Sequence, residues 1–272
     1  MSEVITSPQN PRLKAAARLR DRRGRKQTGR IIIDGRREVA QALNAGVKVE
    51  EVFFCQPLSN SDGSRDVMQL AEGGRVPIFE VGEAAFNKIG YGQRTGGVVA
   101  VAQRPCRALQ DIRLDDTPFV AVIEHVEKPG NLGAVFRSAD AAGVDAVIVV
   151  DPATDIYGPN VLRASLGTAF CLAVAESTVD EAIEWMKRNG FQIVAAIPDS
   201  KAAYTDVNYR LSTAVVFGSE AGGLTDSWNQ DEIVCASVPM QGRVDSLNVS
   251  STAALFFYEA LRQRRECRHD PL

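Results

Sequence analysis

Three short runs of this 272-residue chain carry residues able to do chemistry, and each follows an apolar segment. The first is Glu124-His-Val-Glu-Lys128-Pro-Gly-Asn131-Leu-Gly133, with Arg137 a few residues beyond. Pro129 and Gly130 turn the chain, Asn131 can cap a helix, and the Arg137 guanidinium either grips a phosphate or stands in solvent. The second run is Gly218-Ser-Glu220-Ala-Gly222-Gly223-Leu224. Its glycines let a backbone pass close to something flat or ionic, or simply make a tight turn, and Glu220 is its only charge. It is neither GxGxxG nor GK[ST], so the common nucleotide-phosphate loops are not supported. The third is Val238-Pro-Met240-Gln-Gly242-Arg-Val-Asp-Ser246-Leu247-Asn248-Val-Ser250, running into a helix that Ser246 or Asn248 can cap. A helix start with free N–H groups and hydroxyls suits an anionic or carboxylate-bearing ligand, although ordinary capping uses the same residues.

Other chemistries lack material. There are two histidines, His125 and His269. His269 sits in a polar tail, and no His/Cys/carboxylate grouping has ligand spacing, so no metal is expected. What remains is chemistry by orientation, using an arginine, a glutamate, asparagines and hydroxyls.

The elements that must position these groups read as two domains. Hydrophobic residues at 45% and charged residues at 24% exclude disorder and fibrous repeats. Residues 1–103 alternate helix and strand: a basic amphipathic helix from Pro11 to Arg23 with Asn10 as N-cap, strands at Arg30–Ile33, Val49–Phe54, Pro77–Glu80 and Val98–Val101, and helices through Val39–Leu43, Val67–Leu70 and Glu83–Ile89. SNSDGS before Val67 reads as a turn or helix entry. Residues 104–117, rich in Pro, Arg and Asp, read as a linker. From 118 to 272 the strands Phe119–Ile123, Asp145–Val150, Phe191–Ile197, Thr213–Phe217 and Glu232–Cys235 are continuous apolar runs, predicting a mostly parallel sheet buried on both faces. Helices at Leu132–Ala142, Thr178–Asn189 and Asn248–Arg265 cover it. In open sheets of this kind ligands bind beyond the strands' carboxyl ends, where the three runs fall.

Charge divides the same way. The net charge of -3 hides a first stretch of 37 residues with 11 Lys/Arg against 3 Asp/Glu, which leaves an acidic remainder. A basic arm on an acidic body points to a polyanion at one end, through Arg12, Lys14, Arg18, Arg22, Arg23, Arg25 and Lys26. The five cysteines are odd in number and scattered, arguing for buried or idle thiols in a reducing compartment. With no apolar leader and no spanning segment, a soluble cytoplasmic protein is expected.

The ordered trio resembles the SpoU-type (TrmH-like) RNA 2'-O-ribose methyltransferases of the SPOUT superfamily over residues 118–265, through Asn131-Leu-Gly133 with Arg137, Gly218-Ser-Glu220-Ala-Gly222-Gly223-Leu224, and Val238-Pro-Met240-Gln-Gly242 with Ser246-Leu-Asn248-Val-Ser250. The first hundred residues resemble the small ribosomal-protein-like α/β substrate-binding domain that precedes it in many members. The resemblance implies a parallel-sheet domain with a deep trefoil knot, S-adenosylmethionine bound at Gly218, Val238 and Leu247 with Met240 and Gly222 beside them, and a homodimer through the C-terminal domain. It implies a catalytic set of Arg137, Glu220, Ser246, Asn248 and Asn131. Arg137 would contact RNA phosphate and help activate the ribose hydroxyl. The substrate would be structured RNA, rRNA slightly ahead of tRNA. One departure stands out: Lys128 replaces an aspartate common before the proline. Two other readings compete, a catalytically inactive RNA-binding assembly factor and a nucleotide-dependent α/β enzyme. Retention of Arg137, Glu220 and Asn248 speaks against the first, and the missing phosphate loops against the second.

Overall fold

The structure is a computed structural model that describes residues 4–59, 62–91 and 96–268. Met1 to Glu3, the Asn60-Ser61 part of the expected turn, His269 and the Cys267 side chain lie outside the described residues. The chain forms two compact units, residues 1–105 with 155–171, and residues 106–154 with 172–272.

In the first unit, α1 (Pro11–Arg18) starts as anticipated, with Pro11 in its first turn and the Asn10 side chain accepting the Arg12 N–H. It does not run to Arg23. The chain bends at Leu19-Arg20-Asp21 into α2 (Arg22–Thr28), because Arg25 turns inward and donates to the Leu19 and Arg20 carbonyls at 2.7 Å each. Gly24 permits that bend, since a Cβ there would lie 2.2 Å from the Arg18 carbonyl oxygen. Then follow β1 (Arg30–Asp34), α3 (Arg36–Asn44), β2 (Val49–Phe54), α4 (Asp62–Gly73), β3 (Ile78–Glu80), α5 (Glu83–Phe86) and β4 (Val98–Gln103). The sheet runs β1-β4-β2-β3, with β4 antiparallel to both its neighbours and β3 parallel to β2. Helix α4 is longer than Val67–Leu70. Helix α5 is shorter than Glu83–Ile89, because its exit tightens into three-residue turns at Lys88 and Ile89. Leu13, Ala16 and Leu19 pack with Ile32, Phe53, Phe86 and Val99, so the apolar face of the basic arm is core.

The second unit carries β5 (Phe119–Glu124), α6 (Pro129–Ala142) and β6 (Ala146–Val150). The chain then passes through residues 155–171, which hold α7 (Pro159–Ala164) and group with the first unit. It returns as β7 (Ala173–Ser177), α8 (Val179–Arg188), β8 (Gln192–Ala196), β9 (Thr213–Phe217), β10 (Val234–Ala236) and α9 (Val249–Arg268). The six strands lie in the order β10-β8-β9-β5-β6-β7 with every neighbouring pair parallel. Strands β5, β6 and β9 are buried at every residue, which is why they read as unbroken apolar runs. Strand β7 sits at an edge, with exposed Glu176 breaking its run, and α7 is too short to show a period. Leu109 and Ile112, inside the expected linker, are buried in this unit's core. From β5 the chain winds outward to β6 and β7, then crosses to build β8 and β9 on the other side. That reversal between β5 and β9 is where a crevice opens beyond the strand ends.

Candidate functional site

The loops after β5 and β9 flank that reversal, and a buried carboxylate joins them. Glu124, 1% exposed at the end of β5, accepts the Thr225 N–H at 2.9 Å and the Thr225 hydroxyl at 2.7 Å. Its role went unread in the sequence, where the available signal was a charge closing a fully apolar strand. Between Gly218 and Leu224 the backbone folds back on itself, Ser219 and Gly223 exchanging two N–H to C=O bonds of 3.0 Å. Gly218 must lack a side chain, because a Cβ would meet the Gly223 carbonyl carbon at 2.2 Å. The glycines therefore build a tight turn, and the same turn aims Glu220 toward α6.

Asn131 does not cap α6; Lys128 occupies the cap position and Asn131 lies in the first turn. Its side chain instead donates through Nδ2 to Glu220 Oε1 and accepts through Oδ1 from Asn248 Nδ2 at 3.1 Å. Asn248 is the cap of α9, its Oδ1 accepting from the Ser250 N–H at 2.9 Å and hydroxyl at 2.7 Å. One hydrogen-bonded chain, Ser250 to Asn248 to Asn131 to Glu220, thus ties the three runs together. Each amide has its oxygen and nitrogen assigned by a partner, so rotation breaks two bonds at Asn131 and three at Asn248.

Beside this chain lies a cavity of about 410 Å³ at the ends of β8, β9 and β10, a size usual for a small-molecule site. Ile197, Phe217, Val238, Met240, Leu247 and Phe256 give it apolar walls, and Glu220, Asp245, Ser246, Asn248 and Lys128 give it polar ones. Phe217 meets Phe256 and Phe257 edge-on, with ring centres 5.6 and 5.7 Å apart, which anchors β9 to α9 behind the cavity. Of the expected cofactor residues, Gly218, Val238, Met240 and Leu247 line this space, whereas Gly222 stands one residue outside the lining, its N–H bonded to the Ser219 hydroxyl. Of the expected catalytic residues, Glu220, Ser246 and Asn248 line it and Asn131 is bonded to two of them. Arg137 is exposed on α6, outside the lining, with no hydrogen bond or ion pair among the described residues. Asp245 and Lys128 also line the cavity, a placement that neither residue type nor spacing foretold. His125 takes a left-handed φ of 51° beyond β5 and faces the Asp151 carbonyl.

The basic arm divides. Arg12, Lys14, Arg18, Arg22, Arg23 and Lys26 are exposed, and Arg12 also pairs with Glu51 at 3.1 Å. Arg25 is not a surface cation. It is buried, with Nε 2.7 Å from Asp155 and both carbonyls of the bend on its other nitrogen, so it holds the arm's shape. Among the described residues no His/Cys/Asp/Glu group could hold a metal ion, and no helix is long and apolar enough to cross a membrane. Cys55 is buried, Cys106, Cys171 and Cys235 are exposed, and none of the four is in a disulfide.

A sequence model of the SpoU rRNA Methylase family matches residues 118–258, which contain all three motifs, and an MRM3-like substrate binding domain matches residues 10–100. The chain belongs to the SpoU rRNA methylase family. This SpoU protein is 27% identical to a 23S rRNA guanosine 2'-O-methyltransferase of Bacillus subtilis, over 93% of its own length and 97% of the relative's. It is similar to a solved RNA 2'-O ribose methyltransferase at 38% identity and a TM-score of 0.83, covering 97% of this chain and all of that one. The SpoU methyltransferase AviRb of Streptomyces viridochromogenes, solved in complex with AdoMet, matches with a TM-score of 0.84 and 26% identity, over 94% of this chain and 100% of that one. The family, the parallel α/β fold and the methyltransferase class that the three motifs implied are borne out.

The cavity fits S-adenosylmethionine. Its apolar walls suit an adenine ring, Glu220 and Asp245 suit hydroxyls or an ammonium group, Lys128 suits a carboxylate, and the side-chain-free turn at Gly218 lets backbone approach a flat group.

Proposed function

We propose that this protein transfers a methyl group from S-adenosylmethionine to a ribose 2'-hydroxyl of ribosomal RNA in the cytoplasm, acting as a homodimer. The observation that carries this reading is the hydrogen-bonded chain from Ser250 through Asn248 and Asn131 to Glu220, set at the wall of the cavity. S-adenosylmethionine, when bound, supplies a methyl group already joined to a good leaving group. The protein need only align the hydroxyl, exclude competing water and take up a proton. Gly218, Val238, Met240 and Leu247 would hold the cofactor.

Glu220 is the best-placed acceptor for the proton. A carboxylate has more acceptor positions than the one Asn131 uses, and Asn131 fixes its orientation. Arg137 stays charged in proteins, so it serves as a phosphate grip and lowers the cost of negative charge on the 2'-oxygen. Its exposure on α6 leaves its donors available for RNA. Ser246, on the cavity wall, completes the polar set.

The exposed cations of α1 and α2 supply RNA affinity without sequence preference. The named activities of the relatives favour rRNA as the substrate class. A dimer through the second unit accords with α9, which leaves Leu255 and Tyr258 exposed on one side. The knotted crossing expected for the C-terminal part belongs to the same reading. Calorimetric titration with S-adenosylmethionine tests it: saturable one-site binding is expected, and no detectable heat at millimolar cofactor would sink the methyltransferase and leave the RNA-binding assembly factor.

A further inference from the structure

Tyr91 is 57% exposed, the most exposed large apolar side chain described in the first unit. An aromatic ring left that far in water calls for a reason, and its surroundings are built rather than incidental. The Arg163 guanidinium lies 4.2 Å from the ring centre and that of Arg20 lies 5.4 Å from it. Both arginines are set by one carboxylate: Asp34 Oδ2 is 3.3 Å from Arg163 and 3.6 Å from Arg20, and the Asp34 side chain is only 4% exposed. Arg20 also donates to the carbonyl of Ile89 at 2.5 Å. The ring and both guanidinium groups are therefore held in place before any ligand arrives. One carboxylate between two guanidinium groups leaves a net positive charge, and both arginines remain about one-third exposed.

We infer that Tyr91, Arg20 and Arg163 form a stacking platform that captures an unpaired nucleobase of the substrate RNA and grips its adjoining phosphate. The inference rests on the RNA methyltransferase reading and deepens it, by naming single-stranded or looped RNA as what the first unit takes hold of. An aromatic ring and a guanidinium plane both offer faces on which a splayed-out base stacks, and the guanidinium edge offers paired donors to phosphate. A paired base in a duplex keeps its faces covered, so a platform of this kind selects unpaired nucleotides. Arg20 lies between Arg18 and Arg22, whose exposed charges extend from the platform along the same arm. Arg20 was absent from the cations expected to meet RNA, and Arg163 comes from the 155–171 segment, so sequence spacing gave no sign of the grouping.

The test uses the full chain with three labelled probes, a single-stranded polyadenylate, an RNA duplex of equal length and total rRNA fragments, read by fluorescence anisotropy. Wild-type protein is expected to prefer the single strand to the duplex. Tyr91→Leu is expected to lose about tenfold in affinity for the single strand, within the range of one base–aromatic stack, and to lose the preference over duplex. Because stacking is not ionic, the slope of affinity against salt stays the same. Tyr91→Phe keeps the ring and restores wild-type binding; unchanged thermal midpoints and cofactor affinity show that both variants are folded. If Tyr91→Leu binds single strand as wild type does, the platform is refuted while the RNA reading stands. If the wild-type chain binds none of the three RNAs, the parent reading falls and takes the platform with it.

Discussion

The cavity of the second unit and the basic arm of the first solve opposite problems. The cavity gathers Glu220, Asn248 and Asn131, separated by tens of residues, into one bonded chain whose amides can point only one way. In the arm, six cations cluster in sequence and stay exposed, while Arg25 and Arg20 are held by Asp155 and Asp34. Methyl transfer depends on geometry, so its groups are cross-braced; electrostatic capture depends on the sum of charges, so its groups are interchangeable. A single substitution should therefore cripple the first region and barely disturb the second.

The largest expected effect is at Gly218. In Gly218→Val the new Cβ and its methyls would collide with the Gly223 backbone, opening the turn, and cofactor binding by calorimetry should vanish while RNA binding persists. Next, Asn248→Ala should slow methyl transfer about 100-fold, the scale of a misplaced reacting group, and cost about 1 kcal/mol by removing the α9 cap. Asn248→Ser separates the two roles: serine caps well but has no amide to give Asn131, so thermal stability should return and turnover should not. A variant in which both return would break the claim that the bonded chain matters. Arg137→Ala should lower kcat with RNA saturating and leave the thermal midpoint unchanged, since its side chain has no hydrogen bond or ion pair among the described residues; near-normal turnover would remove Arg137 from the chemistry.

Within the arm, neighbours should part company. Arg25→Ala leaves the half-buried Asp155 without its guanidinium and should cost about 3 kcal/mol in denaturant unfolding, whereas Lys26→Ala should leave stability unchanged, weaken RNA binding modestly and lower its salt slope by roughly 0.7–0.9. Removing residues 1–26 outright would be a poor test, because Leu13, Ala16 and Leu19 are core. The smallest effect is a cap outside both regions. Thr178→Ala should cost about 1 kcal/mol, since Thr178 and Glu181 cap α8 reciprocally. The Thr178 N–H holds the Glu181 carboxyl below its ordinary range. That bond is present above the ordinary carboxylate pKa and fades as the pH falls through the depressed one; because its donor is backbone, Thr178→Ala keeps it, and both proteins should lose it alike in acid.

The same contrast explains what the sequence made legible. Strands β5, β6 and β9 announced themselves because burial on both faces demands unbroken apolar runs. The three motifs announced themselves because turns and caps restrict residue type. Hidden were features whose meaning lies in a distant partner: Glu124 bonding Thr225, Arg25 turning inward to Asp155, and Tyr91 beside Arg163. Asn131 shows both sides at once, legible as a cap by type and placed instead as the link between Glu220 and Asn248. The break between α1 and α2 was equally silent, since the Arg25 that makes it looks in sequence like any other cation of the arm.

The central claim is methyl transfer to a ribose hydroxyl, and one measurement reaches it directly. The purified protein is incubated with methyl-labelled S-adenosylmethionine and unmodified rRNA, and the digested RNA is resolved into nucleosides. The account predicts label in a single 2'-O-methylated nucleoside, accumulating about 100-fold more slowly with Asn248→Ala. Label on a base, or no label in RNA from a protein that binds the cofactor, would contradict it.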